Sequence, residues 1–251
     1  MQKGHSHNQI VTCLFGDPVE HSVSDFMFRY FAKLTKIANY NHLKFRIPKN
    51  DSENLKLAMR ALKVFGMVGA NITLPYKEDA IKYLDVVDKT VRLIGAVNTI
   101  VNDRGKLVGY NTDGYGAIKA IETKLKSIES SDRVVVFGSG GAARAIIGSL
   151  PKVYRITILS RASDSKSVRK IKLDFSHRGL KLDTKLITDA NIVFTIKEAS
   201  LVINATPVGM FPKGRASLIN KHHLASIGKH VIEKYVFLMR FLILLKPNFS
   251  N

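Results

Sequence analysis

Short apolar runs alternate with stretches of helical periodicity along the first half of the chain. Residues 10–15 predict a strand, and residues 25–36 place apolar side chains at helical spacing. The same alternation predicts strands over 42–47 and 68–73, a helix over 51–65 ended by Gly66, a hairpin of 96–101 and 106–109 around the turn 102–105, and a helix over 113–126. This order is typical of an α/β fold.

A polar linker over residues 127–133 separates this half from the next. Residues 134–137 are continuously apolar, as expected for a parallel strand covered on both faces. The pattern then predicts a turn and helix over 138–150, strands over 156–159 and 201–204, and a helix over 163–177. We therefore expect a domain boundary near residues 118–132.

A glycine-rich turn joins the apolar strand 134–137 to the next helix. It fits the dinucleotide fingerprint G-x-G-x-x-A in the required strand–turn–helix context, through Gly138, Ser139, Gly140, Gly141, Ala142 and Ala143. Gly138 permits the tight turn, and Gly140 lets the backbone approach a pyrophosphate. The helix N-terminus then offers N–H groups to the phosphates. The alternative is a merely tight strand–helix turn.

The strand that follows ends at Ser160 and Arg161, about 20 residues after the fingerprint. Enzymes that use NAD usually carry an acidic residue there for the ribose 2′-hydroxyl. Arg161 would instead pair with a 2′-phosphate, with Ser160 adding a hydroxyl contact. The sequence therefore favours NADP over NAD, while an ordinary surface role for Arg161 stays open.

Polar segments cluster at predicted strand ends and turns of the first half. They span residues 21–24, 71–77, 95–99 and 109–114. Ligands of open α/β sheets bind just beyond the carboxyl ends of the strands. Together the segments supply hydroxyls, amides, one ammonium and one carboxylate, a set that suits a small polyhydroxylated acid.

These segments, in this order, resemble the shikimate dehydrogenase family. The glycine loop and residues 204–210 share the resemblance, which covers about residues 10–230. It implies an N-terminal α/β substrate domain over residues 1–118 and a Rossmann-like NADP-binding domain over 119–235. It also implies reversible NADPH-dependent reduction of 3-dehydroshikimate to shikimate, a step of chorismate and aromatic amino acid biosynthesis.

The resemblance also implies residue roles. Lys77 and Asp113 are the catalytic pair. The substrate-binding residues are Ser22 and Ser24 at the carboxylate, with Asn71, Thr73 and Asn98 at the ring hydroxyls or ordering the loop. Thr206 and Met210 lie near the nicotinamide.

Elementary chemistry supports the catalytic pair independently. Reduction of a ketone leaves negative charge on its oxygen, and the Lys77 ammonium can stabilise that charge. Asp113 would orient the ammonium. Which group moves the proton stays open, and so do simpler roles: a solvated Lys77, a helix-capping Asp113, serines that form a turn, and a structural Asn98.

The sequence departs from the family at Asp25, at Ala162, where threonine is common, and beyond Val231. Asp25 stands where proline is usual, which places a negative charge near the predicted carboxylate site. Beyond Val231 the expected tyrosine is absent, since Val236 takes its place, and we expect an atypical and shortened tail over residues 236–251. Two alternatives follow: a quinate/shikimate dehydrogenase paralogue, or an NADP-binding chain whose activity is impaired by this terminus.

Composition narrows the remaining choices. The net charge of +19 is scattered, which favours a solvated basic surface over specific nucleic-acid binding. The single cysteine, Cys13, forms no internal disulfide, and no Cys/His spacing indicates a metal. No apolar run is long enough to span a membrane. We expect a cytoplasmic monomer or homodimer, with its unassigned histidines, including His222 and His223, at the surface.

Overall fold

The computed structural model describes residues 9–49, 51–124, 127–150, 155–176, 180–209 and 216–227, with the backbone of 238–240. The chain divides into two compact units, Met1–Thr112 and Asp113–Asn251. Each unit is an α/β structure built on its own sheet.

The first unit contains a six-stranded mixed sheet of order β2-β1-β3-β5-β6-β4. Its elements are β1 (Ile10–Gly16), α1 (Ser24–Leu34), β2 (Tyr40–Arg46), α2 (Ser52–Val64), β3 (Gly69–Ile72), a 3-10 turn (Asp79–Tyr83), β4 (Val86–Val87), α3 (Lys89–Ile94), β5 (Thr99–Asp103) and β6 (Lys106–Tyr110). Strands β2, β1 and β3 are parallel, whereas β5 runs antiparallel to both β3 and β6. The carboxyl ends of β1 and β3 therefore lie at the same end of the sheet as the start of β5.

Helix α2 shows how the sequence forms the core of this unit. Its Asp51 cap accepts a hydrogen bond from the Asn54 amide at 2.9 Å, which satisfies an amide that the first helical turn leaves unpaired. Leu55, Met59 and Leu62 follow at helical spacing and are at most 1% exposed. Full burial of such side chains contributes about 1.5–3 kcal/mol each. The helix is thereby fixed against the sheet.

The second unit contains a five-stranded, wholly parallel sheet of order β11-β10-β7-β8-β9. Its elements are α4 (Asp113–Lys124), β7 (Arg133–Phe137), α5 (Gly141–Ser149), β8 (Arg155–Ser160), a 3-10 turn (Ala162–Asp164), α6 (Ser165–Phe175), β9 (Lys181–Leu186), α7 (Asp189–Lys197), β10 (Leu201–Asn204), α8 (Lys221–Ile227) and β11 (Leu238–Arg240). The strand order reverses between β7 and β10. A crevice for a ligand is expected at such a reversal, beyond the carboxyl ends of these two strands.

The predicted α/β class is confirmed, and so are the hairpin of β5 and β6 and the continuous apolar strand β7. The prediction for the histidines was wrong at two positions, because His42 and His223 are 4% and 2% exposed. Each is buried with a hydrogen-bonding partner, His42 with Thr12 and His223 with Asp189. No helix among the described residues combines the length and apolar character needed to cross a bilayer.

Candidate active site

The predicted substrate residues of the first unit gather at one end of its sheet. Ser22 and Ser24 follow β1, and Thr73 and Lys77 follow β3. Asn98 directly precedes β5, whose first residue, Thr99, pairs with Asn71. The parallel and antiparallel pairings thus bring segments that are far apart in sequence to the same edge.

The turns after β1 and β3 approach each other closely at Gly16. A Cβ atom on Gly16 would lie 2.2 Å from Thr73 Cγ2 and 2.8 Å from the Leu74 oxygen, so only glycine fits. Backbone hydrogen bonds join the two turns, from the Asp17 amide to the Leu74 oxygen and from the Thr73 amide to the Phe15 oxygen. The segment carrying the serines and the segment carrying Lys77 are therefore held together by backbone.

Lys77 lies half-buried in the turn after β3. The buried ring of Tyr76 anchors this turn, since its hydroxyl donates to the Pro48 oxygen. On the other side, the Val97 amide donates to the Lys77 carbonyl at 2.7 Å. Both contacts fix the backbone at Lys77, which limits where its ammonium can reach.

Asn98 cross-links three segments of this edge. Its Oδ1 accepts from the Thr112 amide at 2.9 Å and from Thr99 Oγ1 at 2.9 Å, while its Nδ2 donates to Thr112 Oγ1 at 3.0 Å. Asn71 Nδ2 donates to the Asn98 carbonyl at 3.3 Å. The Asn98 side chain and backbone therefore tie Asn71, Thr99 and Thr112 together, and the role of Asn98 at a substrate stays a prediction.

Asp113 is the first residue of α4 and begins the second unit, directly after Thr112. Asn98 holds Thr112 through its backbone and side chain. Asp113 and Lys77 belong to different units, and their pairing stays a prediction.

The serine loop, which we define as residues 17–25, carries Ser22 and Ser24. Ser22 Oγ donates to Ser24 Oγ at 3.0 Å, and the Ser24 amide donates to Ser22 Oγ at 3.2 Å. Ser24 begins α1, whose first turn has no side-chain cap. Two adjacent hydroxyls beside helical N–H groups are suited to an anion.

The negative charge of Asp25 is balanced by two cations in direct contact with it, Lys44 and Arg29. Lys44 Nζ lies 3.5 Å from Asp25 Oδ1, and Arg29 Nη2 lies 3.3 Å from its Oδ2. Although partial burial acts to raise the pKa of Asp25, the hydrogen bond from the Phe26 amide and the charge of Lys44 together hold it below its usual value. The departure from proline therefore creates a local ion-pair network beside the serines.

Strand β2 supplies residues that sequence reasoning missed. Alternation places Tyr40, His42, Lys44 and Arg46 on one side, which we call the even face of β2. Lys44 Nζ donates to the Ser22 oxygen at 2.9 Å. Arg46 Nε donates to Asp17 Oδ1 at 2.8 Å, and that hydrogen bond lowers the pKa of Asp17. Polar residues at every second position of this predicted strand were the sequence signal that could have identified these residues.

Burial of His42 lowers its pKa to about 4, against a raising effect of the Asp25 charge and a further lowering effect of Lys44. Between pH 6.5 and about 4 the unfolded chain binds a proton that the native imidazole does not, so native stability falls as the pH falls through this window. We expect acidification from pH 7 to 5 to cost the wild type about 2 kcal/mol more than His42→Gln. Urea unfolding at the two pH values measures this difference.

His222 provides the matched control for that measurement, because its side chain is exposed at the surface, whereas that of His42 is buried. His222→Gln should keep the acid sensitivity of the wild type. Equal acid sensitivity in His42→Gln and wild type would show that His42 is protonated in the native state at pH 5.

The glycine loop follows β7 as its sequence predicts. Gly138 has φ +101°, and a Cβ there would lie 3.0 Å from Thr206 Cγ2 and 3.2 Å from the Ala205 oxygen. A side chain is thus excluded by backbone conformation and by space. Gly140 is the N-cap of α5, and a Cβ there would meet nothing within 4 Å. The surface above the helix N-terminus is therefore open to phosphates.

The loop after β10 lies beside the glycine loop. Asn204 Oδ1 accepts from the Thr206 amide at 2.9 Å and from Thr206 Oγ1 at 2.6 Å, and Asn204 Nδ2 donates to the Val208 oxygen. The Ala205 amide also donates to the Phe137 oxygen. Thr206 is therefore held at the strand reversal between β7 and β10. Met210 lies outside the described residues.

Ser160 is buried at the end of β8, and the Arg161 side chain beside it is 75% exposed. Arg161 Nε and Nη2 contact Asp164 Oδ2 and Oδ1 at 3.2 and 3.1 Å, and this hydrogen bonding raises the pKa of the guanidinium. Sequence reasoning missed Asp164. Asp164 occupies the Nε and Nη2 edge of the guanidinium, so a phosphate would bind at the edge that carries Nη1.

A groove of about 370 Å³ borders Ser160 and Arg161. Three further cations line it and escaped sequence reasoning, because they are dispersed along α6 and β9: Arg169, Lys172 and Lys185. The parallel pairing of β8 and β9 brings Lys185 to this groove, and the packing of α6 against β8 brings Arg169 and Lys172. Their combined charge favours an anionic ligand.

The parallel sheet, its strand reversal and the open glycine loop define the second unit as a Rossmann-type dinucleotide-binding fold. Residues 14–100 of the first unit match the family model described as the shikimate dehydrogenase substrate binding domain. A shikimate dehydrogenase (NADP(+)) of Methanocaldococcus jannaschii is 39% identical over 202 residues, which cover 79% of this chain and 68% of the relative. The chain belongs to the shikimate dehydrogenase family.

Solved structures agree with this membership. A crystal structure of a shikimate dehydrogenase in complex with NADP+ superimposes with a TM-score of 0.75 at 34% identity, covering 86% of this chain and 73% of the other. A shikimate 5-dehydrogenase from Listeria monocytogenes, in complex with shikimate and NAD, superimposes with a TM-score of 0.76 at 27% identity, covering 95% and 88%. Both units thus have counterparts in one known architecture.

Proposed function

We propose that the chain catalyses the reversible NADPH-dependent reduction of 3-dehydroshikimate to shikimate. The observation that carries the proposal is one edge of the first sheet, where paired serines, two amides and one ammonium lie at the ends of strands that the fold brings together. Membership of the family names the substrate that this set fits. The quinate/shikimate alternative is not favoured, because the relatives at 37% and 39% identity are shikimate dehydrogenases.

The first unit binds the substrate in this proposal. Ser22 and Ser24 bind its carboxylate, and the Ser22 hydroxyl turns its proton from Ser24 Oγ to the carboxylate as it binds. Asn71, Thr73 and Asn98 contact ring hydroxyls or order the loop. Lys77 places its ammonium at the carbonyl oxygen, where negative charge develops, and its donated hydrogen bond stabilises the transition state. Asp113 orients that ammonium. The reacting part of the substrate is thereby held by separate segments of the first unit.

The second unit binds NADP in this proposal, and the residues present fit the group. The amides of Gly138, Ser139, Gly140, Gly141 and Ala142 would hold the pyrophosphate, and Thr206 would contact the nicotinamide, where the family resemblance also assigns Met210. Ser160 and Arg161 bind the 2′-phosphate. The reduced cofactor supplies the hydride, and the chain supplies the contacts that orient it.

The direct test follows cofactor reduction by absorbance with shikimate and NADP+, then with NAD+ and with quinate. We expect turnover with shikimate and NADP+. Cofactor binding without turnover would support a chain of impaired activity instead. Faster turnover of quinate would support the paralogue.

Replacement of Arg161 should separate the two cofactors. Arg161→Gln removes the charged partner of the 2′-phosphate, and we expect KM for NADP+ to rise about 10–100-fold while KM for NAD+ changes little. Arg155→Gln is the matched control, because Arg155 is an exposed arginine at the opposite end of β8. Steady-state kinetics of both variants with both cofactors measure the split. An equal rise for both cofactors would remove Arg161 from the 2′-phosphate site.

We also propose a cytoplasmic monomer or homodimer. Burial raises the pKa of the Cys13 thiol to about 12, so the single cysteine stays protonated and unreactive toward disulfides. Such a chain needs no oxidising compartment for its stability. Sedimentation of the purified chain measures its oligomeric state.

A further inference from the structure

A chain of hydrogen bonds leads from β2 to the serine loop. Tyr40 OH contacts Thr12 Oγ1 at 2.5 Å, Thr12 Oγ1 contacts His42 Nδ1 at 2.7 Å, and His42 Nε2 contacts Ser24 Oγ at 3.1 Å. Ser22 Oγ then donates to Ser24 Oγ. The parallel pairing of β1 and β2, which sets Thr12 opposite His42, fixes the register of this chain.

The imidazole is held in place by packing as well. His42 is 4% exposed, and the Phe28 ring stacks on it with centroids 4.5 Å apart and planes 14° apart. Phe28 belongs to α1, the helix that Ser24 begins. The same helix therefore clamps the ring and presents the hydroxyl that the ring contacts.

The direction of the chain follows from the donors available. A neutral imidazole has one N–H and one acceptor nitrogen, and which is which is set by its partners. Tyr40 can donate to Thr12, Thr12 to Nδ1, and Nε2–H to Ser24 Oγ. In this direction Ser24 Oγ accepts from both His42 and Ser22, so its own proton points away from both of them.

The opposite direction suits an anion poorly. With the proton on Nδ1, Nε2 would accept the Ser24 proton and leave the Ser24 oxygen's lone pairs toward the ligand. A carboxylate has no proton to give and would be repelled. A protonated imidazole would donate from both nitrogens, but burial lowers the pKa of His42 to about 4, so the ring is neutral near pH 7.

We infer that His42 is a positioning residue that, as the Nε2–H tautomer, directs the Ser24 hydroxyl proton toward the substrate carboxylate. This inference rests on the proposed function, in which Ser22 and Ser24 bind that carboxylate. His42 touches no substrate itself. Thr12 and Tyr40 set its tautomer from behind.

Two substitutions of His42 distinguish this role from simple packing. Gln places an N–H close to the position of Nε2, whereas Phe keeps the stacking surface on Phe28 and removes both nitrogens. We expect His42→Phe to raise KM for shikimate about tenfold, the loss of one hydrogen bond to a charged group. We expect kcat and KM for NADP+ to change less than about twofold, and His42→Gln to restore most of the shikimate KM.

A cycle with Ser24→Ala tests whether His42 acts through that hydroxyl. In the Ser24→Ala background, His42→Phe should change the shikimate KM less than about twofold further, because the two residues form one unit. His222→Phe, on the exposed face of α8, should change nothing. Additive effects in the double variant, or an equal rise of KM in Gln and Phe, would overturn the inference.

The tautomer gives a readout that needs no turnover. Nitrogen NMR of histidine-labelled protein at pH 7, assigned by the signals lost in His42→Gln, should show a pyridine-like Nδ1 and a pyrrole-like Nε2. The reverse pattern overturns the inference even in an active enzyme. A wild type that fails to oxidise shikimate overturns the proposed function instead, and the NMR pattern still decides the direction of the chain.

Discussion

Lys77→Met should lower kcat for shikimate oxidation by about 10²–10⁴-fold, while KM for both substrates changes far less. Methionine preserves the length of the side chain but has no charge and no proton, so it cannot stabilise the oxyanion or transfer a proton. The backbone at Lys77 is fixed by the hydrogen bond from the Val97 amide to the Lys77 carbonyl. No other lysine lies within residues 73–78, so no neighbour in this turn can take its place. Steady-state kinetics measure the loss.

Lys82 is the matched control for that variant. It lies on the 3-10 turn five residues later, with a side chain 70% exposed that pairs with Asp79. Exposed pairs of this kind contribute little, and Lys82→Met should retain the kcat of the wild type. A kcat for Lys77→Met within about threefold of the wild type would remove the ammonium from the chemical step.

Gly114→Ala should destabilise the second unit by about 3 kcal/mol or more. A Cβ on Gly114 would lie 2.0 Å from the Ala145 oxygen and 2.2 Å from Ser149 Oγ, so helices α4 and α5 must move apart to admit it. The obstacle is largely backbone, which cannot rotate away. For a chain of this size, a loss of that magnitude lowers the melting temperature by roughly 6–12 °C.

Gly116→Ala, two residues further along the same helix, should instead stabilise the second unit. A Cβ there would meet nothing within 4 Å, and alanine favours the helix over glycine by about 1 kcal/mol. Melting curves of the two variants should shift in opposite directions. Equal shifts would show that the close approach of α4 and α5 relaxes at little cost.

Local patterns predicted the elements whose sequence and environment agree. The turn 102–105 forms the hairpin as expected, with Arg104 and Gly105 both at positive φ. The apolar strand β7 is buried on both faces as its composition indicates. Each depends on turn chemistry or burial that a short window contains.

Other elements depend on partners that no short window contains. Helix α7 is rich in β-branched residues, which favour strands, yet it forms because Thr188 caps it and Ile192 and Ile196 enter the core. Strand β9 carries mainly polar residues because it is the sheet edge. Tertiary packing outweighs local preference at both places.

The candidate site divides in the same way. Sequence motifs identify the hydroxyls, amides and glycines of the site, because ligand binding and tight turns each require those particular residue types. They do not identify what orients them, since the partners of Ser24 and Arg161 lie at His42 and Asp164. His42 is 18 residues from Ser24 in sequence, and only the pairing of β1 with β2 brings it near.

The even face of β2 also limits which amino-acid substitutions this enzyme can accept one at a time. Tyr40, His42, Lys44 and Arg46 each hold a different point of β1 or the serine loop, so a replacement at one of them leaves its neighbours with mismatched hydrogen-bonding groups. Laboratory evolution that varies one position at a time would discard most such replacements. Libraries that vary positions 12, 24, 40 and 42 together can cross that barrier, and they offer a practical route to variants that accept acids of other shapes.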